Sequence, residues 1–225
     1  MTLDPTRRFA GRVDNYRQYR PGYLAGVIQL LRERCGLLPG AAVADLGSGT
    51  GIMTAQLLEA GARVWGVEPA KEMREAAERQ LGGRAGFTSV AGSAQDTTLG
   101  THSVSLVTAC QAFHWFDPAG SRAEALLHRH APEYAAVRKR RAHGPAMRTF
   151  FGREPERAVF ANRQVLDFEG LKGRAMSSSY VPEPDDPAHG PLLAGLRAAF
   201  ERHEREGRVT FPYETLVFFG QPGRS

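Results

Sequence analysis

Glycines and two acids at fixed spacing carry the first chemistry in this chain. Val43-Ala-Asp-Leu-Gly-Ser-Gly-Thr-Gly51 ends a short apolar run in a turn built on Gly47, Gly49 and Gly51, where no side chain stands in the way. Ile52 to Ala60 then takes up a helical pattern that Gly61 stops, and a second apolar run, Ala62 to Val67, ends in Glu68. Strand, glycine loop, helix, strand and acid describe a pocket for a nucleoside-bearing cofactor. Glycine lets the backbone approach the ligand, and a carboxylate accepts hydrogen bonds from both ribose hydroxyls.

The spacing bears on which cofactor. Dinucleotide sites usually read G-x-G-x-x-G, with the helix N-terminus facing a pyrophosphate. Here the loop reads G-x-G-x-G, holds no Lys or Arg, and is preceded by Asp45, which suits a ligand carrying an amino group. S-adenosylmethionine fits, with an adenosine, a sulfonium and an amino-acid tail. In these residues the chain resembles the class I S-adenosylmethionine-dependent methyltransferases. A glycine turn that binds nothing and a nicotinamide site stay open as alternatives.

Further segments extend the likeness. Cys110-Gln-Ala-Phe-His-Trp-Phe-Asp117 crowds aromatic rings where a strand meets the rim of the site. It resembles the methyltransferase type 11 subgroup, which includes trans-aconitate-methyltransferase-like proteins. So do Tyr16-Arg-Gln-Tyr-Arg-Pro-Gly-Tyr23, Val165 to Arg174, Ser177 to Pro182, and Gly207 to Gly220. The resemblance implies a cofactor site made of Tyr19, Arg20, Asp45, Gly47, Ser48, Gly49, Gly51, Glu68, Pro69, Met73, Ala94, Gln95 and Gln111. Gln95 stands where relatives usually show Glu, with Asp96 as a fallback for the adenine amino group. His114 is the candidate general base for a hydroxyl or amine acceptor, or else a rim histidine held by a carbonyl; a carboxylate acceptor needs no base. Trp115 and Phe113 offer faces that stabilise a cation and exclude water. Tyr16, Trp115, Arg174 and Tyr180 are candidate substrate contacts, and Arg174 would suit a carboxylic acid. Arg20 either pairs with the cofactor's carboxylate or tethers the first helix.

The elements that must position these residues follow from periodicity. Helices are expected over Tyr23–Cys35, Lys71–Leu81 and Leu192–Glu206, and strands over Gly86–Ala91, Val104–Ala109 and about Arg157–Phe168. Alternating strands and helices predict an α/β fold, a Rossmann-like parallel sheet flanked by helices (the class I methyltransferase fold), with a mainly helical C-terminal cap. Relatives continue from the Trp-Phe-Asp signal into a fifth strand, usually after Pro-Gly-Gly. This chain runs from Asp117 to Tyr134 without one, and a crossover with its strand needs about a dozen residues or more. The sheet is therefore expected to lack that strand and to be re-closed by the C-terminal strand, Val209 to Phe219, with Pro212 at a bulge or edge. One domain is expected: a lid and helix over 1–36, a cofactor-binding core over 37–117, a cap over 118–206 and a final strand over 207–225.

Composition narrows the rest. The net charge is +5 over 225 residues, but the basic residues are scattered among Glu, and the dense run Arg138-Lys-Arg-Arg141 suits a helix C-terminus. Nucleic acid is not an expected partner, and neither is a membrane or a metal. Cys35 and Cys110 read as reduced core cysteines. The opening residues carry no signal-peptide core, so a cytoplasmic location is expected. Three functions are open: a small-molecule methyltransferase, a degenerate relative that binds the cofactor weakly or not at all, and a nicotinamide oxidoreductase.

Overall fold

A computed structural model describes residues 13–94, 96–110, 147–148, 151–178 and 181–221. Among these, one compact unit holds residues 22–110 with 217–220, and a second holds residues 14–21 and those from 147 to 216.

The first unit contains α2 (Ala25–Arg34), β1 (Ala42–Leu46), α3 (Ile52–Glu59), β2 (Arg63–Val67), α4 (Lys71–Leu81), β3 (Phe87–Val90) and β4 (Leu106–Thr108). The strands form a four-stranded sheet in the order β3-β2-β1-β4. All pairs are parallel, with Asp45 beside Gly66 on one flank and beside Thr108 on the other. β1 is buried because a central parallel strand is covered on both faces, and its run Val43-Ala-Asp is accordingly inaccessible. On α4 the buried residues Met73, Ala76, Ala77 and Leu81 recur at helical spacing, while Glu72, Arg79 and their neighbours face water. The chain steps from β1 through β2 to β3 on one side, then returns to place β4 on the other. That reversal creates a crevice at the C-terminal ends of β1 and β4, where open α/β sheets bind ligands.

The second unit includes α1 from Asp14 onward (α1 spans Val13–Tyr19), β5 (Glu156–Leu166), α5 (Phe168–Met176), α6 (His189–His203) and most of β6 (Val209–Phe219). β5 was expected to run to Phe168. It stops at Leu166 because the Asp167 carboxylate accepts from Gly170 N (2.8 Å) and caps α5. Leu171, Leu196, Phe200 and Val209 form its apolar core, with Leu166, Phe168, Ala175 and Phe211 packed against them. The Phe168 and Phe200 rings meet edge to face at 5.5 Å.

The expected re-closure of the sheet does not occur. β6 pairs with β5 in a separate two-stranded sheet, and β4 pairs only with β1 among the described residues. β4 offers three residues and β5 eleven, and the alternations of β5 and β6 both direct shielded side chains toward one face. Pro212 is exposed on β6, and a two-stranded sheet leaves each strand an edge that tolerates proline. The stretch where a fifth family strand would fall lies outside the described residues. Among those described, no helix is long and apolar enough to cross a membrane.

Gly51 joins loop to core. Its φ is +86°, and a Cβ there would stand 2.6 Å from Cδ1 of the buried Leu81, so a side chain at this start of α3 must displace the end of that leucine on α4. Gly40 has a similar φ of +80° with nothing nearby. Gly40→Ala should cost roughly 1–2 kcal/mol of stability from backbone conformation alone. Gly51→Ala should cost about 1–3 kcal/mol more, from overpacking against a buried leucine. Urea unfolding of both variants measures the difference; equal losses would remove the packing role.

Candidate cofactor site

The glycine loop lies over the end of β2. Val67 O accepts from Gly47 N (2.8 Å) and Ser48 N (3.2 Å), and Ser48 O accepts from Gly51 N (2.9 Å). Gly47, Gly49 and Gly51 all have positive φ, a conformation that side chains disfavour. A Cβ on Gly49 would meet nothing within 4 Å, so the loop is open at that point.

Glu68 is fastened rather than free. Its Oε2 accepts from Gly49 N (2.8 Å) and its Oε1 from Ala70 N (2.9 Å). Its own amide donates to Val90 O (3.0 Å), and Arg74 Nη1 donates to its carbonyl (3.0 Å). Burial raises the carboxyl pKa, opposed by the two amide hydrogen bonds and the nearby Arg74 charge. A carboxylate has about four acceptor positions, so the bonds to Gly49 and Ala70 leave room for hydroxyl donors.

Asp45 has a different first task from the one its sequence position suggested. It is 1% exposed, and its oxygens accept from Thr54 Oγ1 (2.7 Å) and Thr108 Oγ1 (2.8 Å). The carboxylate thus clamps β1 to α3 and β4. Burial pushes its pKa up to about 6 against both hydroxyls, and the Glu68 charge pushes the same way. Cys110, at the end of β4, feels the Asp45 charge too; with burial that holds its thiol well above the usual range, though the Tyr23 side chain hydrogen-bonds it. Tyr23 is itself fixed by Gln56, which accepts from its amide (3.1 Å) and donates to its carbonyl (2.8 Å). Neither Cys35 nor Cys110 is in a disulfide, and each residue as a whole is partly buried.

Around this centre Met73 is buried at the start of α4, while Pro69 and Ala94 are exposed. Asp96 is exposed and shapes its own turn, donating its amide to Ser93 Oγ (3.1 Å). Gln95, Gln111, His114, Trp115 and Tyr180 lie outside the described residues, as does the side chain of Tyr16. Tyr19, Arg20 and Arg174 lie in the second unit. There a Cβ on Gly173 would fall 2.1 Å from Tyr19 Cε2, so the Tyr19 ring sits directly on the bare backbone of α5. Gln164 Nε2 donates to Tyr19 O (3.1 Å), and Arg20 Nε donates to Ser177 Oγ (3.1 Å). Sequence reasoning missed the Thr54–Asp45–Thr108 clamp, Arg74 and the Gln56–Tyr23 latch. Polar residues at buried helix and strand positions were the only available signal.

Residues 44–130 match the family described as a methyltransferase domain. An uncharacterized methyltransferase of Mycobacterium tuberculosis is 36% identical over 118 residues, which are 52% of this chain and 45% of that protein. One from Geobacillus kaustophilus is 35% identical over 79 residues, 35% of this chain and 34% of its own length. The chain therefore spans less than half the length of these curated relatives. Among solved structures, a SAM-dependent methyltransferase from Thiobacillus denitrificans, in complex with S-adenosyl-L-homocysteine, superposes with a TM-score of 0.50 at 17% identity, covering 96% of this chain and all of that one. The YcgJ protein from Bacillus subtilis gives 0.50 at 14% identity, covering 87% and 97%. The fold is the Rossmann-like α/β fold of class I methyltransferases.

The raised Asp45 pKa makes a stability prediction. A group whose pKa is higher folded than unfolded stabilises the fold when protonated. Its contribution is complete below pH 3.8 and is lost as pH rises through about 6. That difference corresponds to about 3 kcal/mol. Urea unfolding at pH 4 and pH 7 should show Asp45→Asn losing less stability than the parent over that interval, by an amount of that order. Parallel pH profiles would contradict the assignment.

Proposed function

We propose that the first unit binds S-adenosylmethionine at the glycine loop and that the protein transfers its methyl group to a small-molecule acceptor. The observation that carries this reading is the Glu68 carboxylate, held at the end of β2 by Gly49 N–H and Ala70 N–H with acceptor capacity to spare. In that reading its remaining lone pairs receive the two ribose hydroxyls. The open backbone at Gly49 admits close approach, and the buried Thr50 hydroxyl, which has no hydrogen-bond partner in the same loop, is available to a ligand group or a water. When bound, the cofactor supplies a methyl group activated by a sulfonium cation.

Electrostatics favour a cationic ligand. Glu68 and Asp45 are both buried carboxylates at this edge of the sheet, and the Glu68 charge disfavours ionisation of Asp45. A sulfonium or ammonium relieves that repulsion, whereas a pyrophosphate would add to it, which sets the nicotinamide alternative behind. Pro69, Met73 and Ala94 line the expected adenosine side, while Gln95 and Gln111 keep the adenine and methionine-tail roles implied by the resemblance. His114 would serve as base for a hydroxyl or amine acceptor only. The finer likeness to trans-aconitate-methyltransferase-like proteins favours a carboxylic acid acceptor. A second reading, binding without turnover, is favoured by the separation of the strands into a four-stranded and a two-stranded sheet. Labelled-methyl transfer to a panel of acids, phenols and amines separates these two readings.

Glu68→Ala removes both the ribose acceptors and the anchor of Gly49. Calorimetry with S-adenosylhomocysteine should show affinity falling about 100-fold, the loss of two hydrogen bonds to a charged group. Unchanged affinity in a variant that still folds would refute the ribose assignment.

A further inference from the structure

The second unit contains a polar cluster that the cofactor site does not use. Arg174 on α5 lays its guanidinium over the Tyr213 ring of β6, 5.7 Å from the ring centre, with one nitrogen sealed from solvent. One turn later Ser177 Oγ donates to Arg174 O (2.6 Å) and accepts from Arg20 Nε. The residue before Arg20, Tyr19, gives its carbonyl to Gln164 Nε2 on β5. Asn162, on the same shielded face of β5 as Gln164, lies beside the Tyr213 phenol without a hydrogen bond of good geometry. Contacts therefore run from β6 through α5 and the end of α1 to β5, within one unit.

Two atoms in this circuit are sealed from solvent with no hydrogen-bond partner: the Tyr213 hydroxyl and Gln164 Oε1. Each such group costs about 1–3 kcal/mol, and native interiors leave few of them. Their needs are complementary. The phenol has a proton to donate, and burial, its largest influence, raises its pKa and keeps it protonated at neutral pH. The glutamine oxygen can only accept. A ligand that answers both offers an acceptor beside a donor, and the guanidinium over the ring makes an anion the preferred acceptor.

We propose that this cluster is a binding site, within the second unit, for a small carboxylic acid bearing a hydroxyl or amino group next to its carboxylate. The carboxylate takes the Tyr213 O–H and an Arg174 N–H, and the neighbouring hydroxyl or ammonium donates to Gln164 Oε1. Buried Ser177 holds the Arg20 side chain and ties itself to the Arg174 carbonyl of the same helix. These residues bind and orient; they move no proton. The carboxylate chemistry of the cluster is independent of the cofactor reading.

Calorimetry with malate, tartrate and citrate as hydroxyacid probes, and with succinate as the matched acid lacking the hydroxyl, tests the site with and without S-adenosylhomocysteine. Hydroxyacid binding is expected in both conditions, with succinate about 10-fold weaker than malate for want of the bond to Gln164. Tyr213→Phe should weaken malate about 10-fold and Arg174→Gln about 100-fold, with affinity for S-adenosylhomocysteine unchanged. Gln164→Leu should erase the difference between malate and succinate. Tyr213→Phe removes one oxygen, so the test does not depend on whether Arg174→Gln folds. The proposal is overturned if no acid binds, if a water alone fills the site and Tyr213→Phe leaves malate unchanged, or if the variants weaken S-adenosylhomocysteine instead, which would mark a seat for the cofactor's own amino-acid tail. Failure of S-adenosylhomocysteine to bind the parent protein would sink the cofactor reading and leave the acid titrations to decide this one.

Discussion

The amides of Gly49 and Ala70 converge on one buried carboxylate, and the cofactor edge of the sheet is organised by that convergence. Glu68 would be costly to bury alone, since an ionised group loses its water. Its position at the end of β2 gives it two backbone donors from segments on either side. In return the glycine loop is held in a conformation that its positive φ angles make unfavourable for other residues. The same bonds fix the carboxylate before any ligand arrives, so little ordering is left for binding. Asp45 works the other side of the loop, tying β1 to the first turns of α3 and to β4 through hydroxyls. One acid thus holds the loop from β2 and the other sets the strands beneath it.

The second unit solves a different problem with similar means. α5 lacks a side chain at Gly173, and the end of α1 is seated there by the Tyr19 ring. Arg20, Ser177 and Gln164 then secure that seat with hydrogen bonds. Beneath lies the apolar contact of α5 and α6 with β5 and β6, which explains why β6 prefers β5 to the short β4. Its polar end differs from its apolar end in kind. The apolar residues satisfy one another, whereas Tyr213 and Gln164 retain buried atoms without partners. A fold keeps such groups where a ligand or a water completes them.

The sequence was most legible where backbone geometry dictates residue type. The glycine loop, the strand ending in Glu68 and the helix Lys71–Leu81 could be read because each depends on local conformation or on helical spacing. The alternation of strands and helices likewise predicted the parallel order of the first sheet. The Asp45 clamp was not legible, since Thr54 and Thr108 meet it only after α3 and β4 have packed, and threonine at such positions looks like any small core residue. The pairing of β6 with β5 was misjudged because the family's strand order was applied to a chain whose intervening segment differs. The seat of Tyr19 was hidden for a third reason: Gly173 reads as a helix-weakening residue until the ring that needs its bare backbone is seen.

The central claim is that the edge of the sheet built on Glu68 and Asp45 accepts a cationic nucleoside. Calorimetric titration of the unaltered protein with S-adenosylmethionine and, in parallel, with a nicotinamide dinucleotide tests it most directly. Saturable binding of S-adenosylmethionine at one site, with no heat from the dinucleotide, is the predicted result. Binding of the dinucleotide in preference, or of neither, would contradict it.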